Sequence, residues 1–147
     1  MEARDVTVNA AQAVTTGRCL CGFVCFEVSG DVEAAAYCHC SDCRKRTGSA
    51  FVVSFPVLTA NFKLVSGSPK PFTKTGDSGN ELTRHFCPEC GSPLFTSSPR
   101  HPDRIYVKAG VLDDPAVIKP AYQSWVASSV TWATIAPTLL RYEKARR

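Results

Sequence analysis

Apolar and polar residues alternate over short stretches of this chain rather than recurring every three or four positions. In residues 23–28, Val24, Phe26 and Val28 fall on one face and Glu27 on the other, the period of a half-buried strand. Comparable β-branched and aromatic runs occupy 50–55, 62–65, 82–86 and 105–108. Ten prolines and nine glycines punctuate the chain and leave little room for long helices. The helical candidates are a short turn starting near Ser41, read as an N-cap, and a piece near the end of the sequence. Residues 1–16 carry no sustained period and read as a flexible arm, 17–142 as one domain, and 143–147 as a solvated basic end. No internal repeat or low-complexity segment is present. The pattern predicts a mainly β domain of many short strands.

With 147 residues the chain is one domain in size, long enough to bury roughly 70% of its unfolded surface without disulfide staples. Hydrophobic residues make up 44% and charged residues 20%, which excludes disordered, collagen-like and coiled-coil chains. No apolar run approaches the ~18 residues of a membrane span. The opening MEARDVTVNAAQAVTTG has no basic segment followed by an apolar one, so the expectation is a cytoplasmic chain without a secretory leader. The net charge of +4 suits an anionic small molecule but is too weak to announce nucleic-acid binding.

Eight cysteines change the picture. In a secreted chain they would form a disulfide framework; in a reducing compartment they are metal ligands or catalytic thiols, and the missing leader favours the second. They form three groups: Cys19 and Cys21 with Cys25 trailing, then Cys38, Cys40 and Cys43, then Cys87 and Cys90. Cys-x-x-Cys followed by Gly is the usual metal knuckle, its tight turn aiming backbone N–H groups at the thiolates. A metal knuckle is favoured over a thioredoxin-like reading of Cys87-Pro-Glu-Cys90, because Gly91-Ser92-Pro93 would interrupt the helix whose dipole such a pair needs.

Counting separates two sites. Cys19, Cys21, Cys87 and Cys90 make a closed four-thiolate set, expected to be structural. Cys38, Cys40 and Cys43 supply three thiolates and leave one tetrahedral position open, the pattern of a reactive zinc. Cys25 or His39 could complete the second set. Cys25 lies in a strand and reads as a small buried hydrophobe, while His39 points away from its two cysteine neighbours and reads as a packed or outer-shell group. His85 and His101 carry no motif signal.

These residues, in this order, resemble the glutathione-dependent formaldehyde-activating enzyme family, which also includes centromere protein V. The matching stretches are Gly17-Arg-Cys-Leu-Cys-Gly22, Cys38-His-Cys-Ser-Asp-Cys-Arg-Lys-Arg-Thr-Gly-Ser-Ala-Phe51 and Phe86-Cys-Pro-Glu-Cys-Gly-Ser-Pro-Leu94, with a fainter echo in 109–115 and Trp132. The resemblance implies a β-tent fold of two small antiparallel sheets pinned by zinc. It also implies two Zn²⁺, a structural one on Cys19, Cys21, Cys87 and Cys90 and a catalytic one on Cys38, Cys40 and Cys43. The chain departs from the family pattern late, with Gln123, Ser128 and Ser129 where members carry a histidine and a Ser-Lys pair. That departure bears on the substrate more than on the fold.

The activity the resemblance implies is reversible condensation of glutathione, or another small thiol, with formaldehyde or a related aldehyde, a carbon–sulfur lyase in the reverse direction. Three thiolates give a zinc site a charge of about −1, which makes it a weak Lewis acid, a poor hydrolase and a good host for a soft thiol. Arg44, Lys45 and Arg46 follow Cys43 and could offset its charge or hold substrate carboxylates, although a run of this kind can equally be a solvated face. The rival reading is a non-catalytic zinc module for protein or nucleic-acid interaction. No aromatics interleave with the basic residues to stack bases, and nucleic-acid binding of that kind would weaken steeply with salt.

Overall fold

A computed structural model describes residues 13–135 and 137–146, so most of the arm, 1–12, and Arg147 lie outside the described residues. Among the described residues there are eleven strands: β1 (Val14–Arg18), β2 (Cys25–Ser29), β3 (Ala35–Cys38), β4 (Val52–Leu58), β5 (Phe62–Ser66), β6 (Lys70–Thr75), β7 (Glu81–Phe86), β8 (Pro93–Ser97), β9 (Arg104–Lys108), β10 (Pro120–Ser124) and β11 (Leu140–Arg141). One α-helix, α1 (Ser41–Thr47), and four short 3₁₀ turns complete the described elements. None of these helices is long and apolar enough to cross a membrane.

The fold is mainly β, as the pattern requires, and has two sheets, as the resemblance implies, but the sheets are unequal. The smaller runs β1-β2-β5; the larger has eight strands in the order β11-β10-β3-β4-β9-β8-β7-β6. Nor is it wholly antiparallel: β10 pairs in parallel with both β3 and β11. The first strand begins inside the stretch read as a loose arm, because Val14 to Thr16 pair with β2. Near the end of the sequence the expected helical piece is only the 3₁₀ turn Val126–Ser128.

The core forms where the sheets face each other. Val24, Phe26 and Val28 are buried as their alternation predicts, and meet Phe55, Val57, Leu94, Ile105 and Val107 from the larger sheet. An aromatic column crosses the layers: Phe26 stacks on Phe62 at 5.3 Å between ring centroids, and Phe62 meets Phe95 at 4.9 Å. Gly17 is a glycine for a packing reason, since a Cβ there would stand 2.3 Å from Cζ of Phe26.

The other face of the large sheet builds the site. Register places Ser124, Cys38 and Val52 in one cross-strand row, and Tyr122, Ala36, Ser54 and Lys108 in the next. A third row runs from Pro56 through Tyr106 and Thr96 to Arg84. Strand periodicity thus sends Ile105 and Val107 into the core and Tyr106 and Lys108 to the opposite face.

Candidate metal centres and the adjoining cavity

The first cysteine group joins segments far apart in sequence. Cys19 and Cys21 follow β1, Cys87 and Cys90 follow β7, and all four sulfurs lie within 4.8 Å of one another. The Sγ atoms of Cys19 and Cys21 are 3.6 Å apart and those of Cys21 and Cys87 3.8 Å. Both turns are built as knuckles: Gly22 and Gly91 have positive φ, and the Gly91 N–H donates to the Cys87 carbonyl at 2.9 Å. The Val24 N–H donates to Cys19 Sγ at 3.2 Å. Ser92 links the two knuckles, its Oγ accepting from the Leu20 N–H at 3.0 Å and lying 3.2 Å from Cys90 Sγ. That hydroxyl, with the Ser92 backbone, holds the Cys90 thiol down at about 5. Cys19 and Cys87 are buried; all eight cysteines are free thiols.

The second group is local. Cys38 ends β3, Cys40 precedes α1, and Cys43 lies in its first turn; their sulfurs also fall within 4.8 Å of one another. The helix cap is Cys40 rather than Ser41, because the Cys40 sulfur itself accepts the Cys43 N–H at 3.3 Å. At the other end Gly48 takes the left-handed conformation and donates to the Arg44 carbonyl at 2.8 Å. Hydrogen bonds from Cys40 and then Cys43 hold the Cys38 thiol down at about 3, and the same bonds, from Cys38 first, push Cys43 up. One thiolate and retained protons are what three crowded thiols adopt, and a soft cation is what lets all three ionise. In both groups the donor set, its spacing and the N–H groups aimed at sulfur fit a thiolate-bound metal ion.

Neither competitor joins the triad. The His39 ring turns away, with Nε2 2.9 Å from Gln123 Oε1 and the ring against Phe51. Cys25 Sγ donates to the Gly22 carbonyl at 3.4 Å. Of the late departures, Gln123 is therefore the buried partner of His39, while Ser128 and Ser129 close the 3₁₀ turn after Trp125.

Beside the triad lies a cavity of about 270 Å³, lined by Cys38, Cys43, Arg46, Arg84, Tyr106 and Lys108 among others. Its size is near the lower end of small-molecule sites, roughly 300–1,000 Å³. Of the three basic residues after Cys43, Arg46 reaches this cavity, its guanidinium 4.8 Å over the Phe86 ring. Lys45 is exposed and Arg44 half-buried, and neither lines it. Two cations that no motif indicates stand there instead. Arg84 is buried and pairs with Asp42 of α1 at 3.5 Å, and Lys74 holds the other Asp42 oxygen at 2.6 Å. Burial pushes the Lys108 ammonium down, and the Cys43 and Cys38 charges pull it back up. His85 also lines the cavity, stacked on Phe95 and 3.0 Å from Ser97 Oγ, with burial holding its pKa below the ordinary value. His101 is exposed and does not line this cavity.

A two-sheet β scaffold carrying one cysteine quartet and one cysteine triad beside a cationic cavity defines a class of small domain with two thiol clusters that fit metal ions. Comparison with known proteins specifies it. Residues 14–128 match the family model described as "Glutathione-dependent formaldehyde-activating enzyme", and the chain belongs to that family. A Halomonas elongata protein provisionally named a glutathione-dependent formaldehyde-activating enzyme is 30% identical over 104 residues. That match covers 66% of this chain and 64% of the relative, so just under two thirds of the relative's length is spanned. The crystal structure of a Rhodobacter sphaeroides protein, a structural-genomics target, superposes with a TM-score of 0.51 at 18% identity, covering 86% of this chain and 98% of that one. At that identity the likeness shows the fold.

Proposed function

We propose that this chain is a zinc-dependent carbon–sulfur lyase that condenses a small thiol, glutathione in the first instance, with formaldehyde or a related aldehyde, reversibly, to an S-hydroxymethyl adduct. The observation that carries this reading is the contrast between the clusters. Four sulfurs draw together around one point between two knuckles, whereas three gather at the wall of a cavity lined by Arg46, Arg84 and Lys108. Cys19, Cys21, Cys87 and Cys90 would hold a structural Zn²⁺, and Cys38, Cys40 and Cys43 a catalytic one. The latter ion would supply a soft Lewis acid that favours the thiolate form of an incoming thiol.

The chain's own groups do the rest. The thiol sulfur bonds to the carbonyl carbon, the π electrons move onto oxygen, and the proton given up by the thiol ends on that oxygen. Negative charge is present on sulfur before the step and on oxygen during it, beside three further thiolates. Lys108 answers that charge from the row next to Cys38. Among the described residues it has no carboxylate partner, so its positive charge is directed at the cavity. Arg84, fixed by Asp42, keeps a second cation in place, and because Asp42 is the neighbour of Cys43 the same pair anchors α1 to β7. Apolar Val52, Leu82 and Phe95 limit water in the cavity and so slow loss of the adduct to bulk solvent.

Exchange NMR on glutathione and formaldehyde tests this with zinc-loaded protein. Native protein is expected to accelerate interconversion, and Cys43→Ser to return it to the uncatalysed rate while keeping one zinc ion and the native fold. Equal rates for native protein and buffer, with two zinc ions confirmed per chain, would overturn the activity and leave the metal sites standing.

A further inference from the structure

One wall of the triad cavity comes from a segment that carries no motif. After β11, residues 142–146 return along the turn that follows β10. The Tyr142 N–H donates to the Gln123 carbonyl at 2.9 Å, and the N–H groups of Trp125, Val126 and Ala127 donate to the carbonyls of Lys144, Tyr142 and Glu143 at 3.1, 3.1 and 3.3 Å. The basic end, expected to be merely solvated, therefore keeps exposed side chains on a docked backbone.

Trp125, held from this segment, has φ 57 and ψ 38 and is the one non-glycine residue with positive φ among those described. A bulky aromatic is disfavoured in that region, and such strain persists where surrounding structure imposes it, most often at ligand sites. It sets Trp125 into the cavity wall with Tyr122 and Arg146.

Arg146 stands at a junction. Its guanidinium lies 4.8 Å over the Tyr122 ring, and it lines both the triad cavity and a second one of about 360 Å³ that shares Cys38, Tyr122 and Ser124. Of the other cavity arginines, Arg84 is engaged by Asp42, whereas Arg46 lies over Phe86 as Arg146 does over Tyr122, but half-buried and on the wall of the first cavity alone. Among the described residues Arg146 meets no carboxylate. A guanidinium lying on an aromatic face keeps its donor edge free for a planar bidentate anion.

We propose that Arg146 is a specificity-determining residue, binding a carboxylate of the thiol substrate at the mouth of the triad cavity with Tyr122 and Trp125 as the wall. The inference rests on the thiol–aldehyde reading above, and its test separates the two. S-methylglutathione keeps both carboxylates and has no free thiol. Its binding is read from Trp125 fluorescence in a Trp132→Phe background, where Trp125 is the remaining one of the chain's two tryptophans. Native protein is expected to give a saturable change, and Arg146→Gln to weaken binding about tenfold, with Arg146→Lys between them. In exchange assays Arg146→Gln should lower kcat/KM for glutathione, relative to that for 2-mercaptoethanol, by a similar factor, through KM. Affinity for S-methylglutathione that is absent, or equal in native protein and Arg146→Gln, would overturn the proposal even if exchange is accelerated. Arg146-dependent binding without accelerated exchange would uphold the carboxylate site and sink the lyase.

Discussion

Gly17 shows how one missing methyl group can be a structural requirement. Phe26 presses its ring edge onto the backbone of β1, is 1% exposed, and is backed at 5.3 Å by Phe62, so it has nowhere to turn. Gly17→Ala would bring a Cβ to within 2.3 Å of that ring. The cost of such overpacking is typically about 1–3 kcal/mol. Urea denaturation of zinc-loaded protein should show a lower midpoint at unchanged slope. An unaltered midpoint would mean that the aromatic column yields more easily than its packing indicates. At the same scale Lys108 illustrates what a motif cannot reveal. The cysteine triad is legible as a string of letters, but the cation beside it lies 65 residues past Cys43 and reaches it through strand register.

Among the elements, β1 depends on a carboxylate outside its own sheet. Asp113 accepts from Thr16 Oγ1 at 2.7 Å and pairs with Arg18 Nε at 2.9 Å, while Gly17 bridges Leu112. The Arg18 hydrogen bond, then that from Thr16, hold the Asp113 carboxyl below its unfolded value of 3.8. A depressed acid contributes stability above 3.8 that is lost as pH falls through the folded value. Asp113→Asn should therefore be less stable than native protein at neutral pH, modestly because the pair is solvent-screened, and the gap should close below about pH 3.8. Thermal melts across pH 3 to 7 check this, with the difference between the proteins cancelling acid release of metal from both. A gap independent of pH would assign the role of Asp113 to packing.

How far the elements could be read from the sequence follows from where their side chains go. β2 was legible because Val24, Phe26 and Val28 are all buried on one face. β6 was not, since all six of its residues are exposed and no alternation marks it. β4 runs three residues past the expected stop at Phe55, through Pro56. That proline pairs only with Tyr106 of β9, since the pairing with β3 ends at Ser54, so its missing N–H breaks no bond on that side. Strands β3 and β10, parallel to each other, carry small and polar residues in place of β-branched runs and are held by pairing with each other, with β4 and with β11. The grouping of the triad, by contrast, was fully visible, because three cysteines written within six residues need no tertiary knowledge to be brought together.

At the scale of the molecule the cysteine quartet clips the small sheet to the far half of the large one. Removing one of its thiolates should cost more than any packing change, because a bound structural zinc contributes folding free energy on the order of 10 kcal/mol. Cys87→Ser is expected to be recovered mainly as insoluble protein, and any soluble fraction to hold one zinc ion fewer by elemental analysis. Soluble Cys87→Ser protein with an undiminished zinc content would show that this knuckle is not a ligand pair.

The two clusters also differ in how early a growing chain can complete them. The triad closes over its own motif, whereas Cys21 and Cys87 are separated by 66 residues. On a logarithmic loop-closure scale that difference raises the entropic threshold of the quartet by about 2 kcal/mol. A growing chain therefore completes its local triad first, before β7 exists to bring the quartet together. The triad's wall from β10 comes later still. Until it does, the three neighbouring thiols stand without that side of the cavity around them.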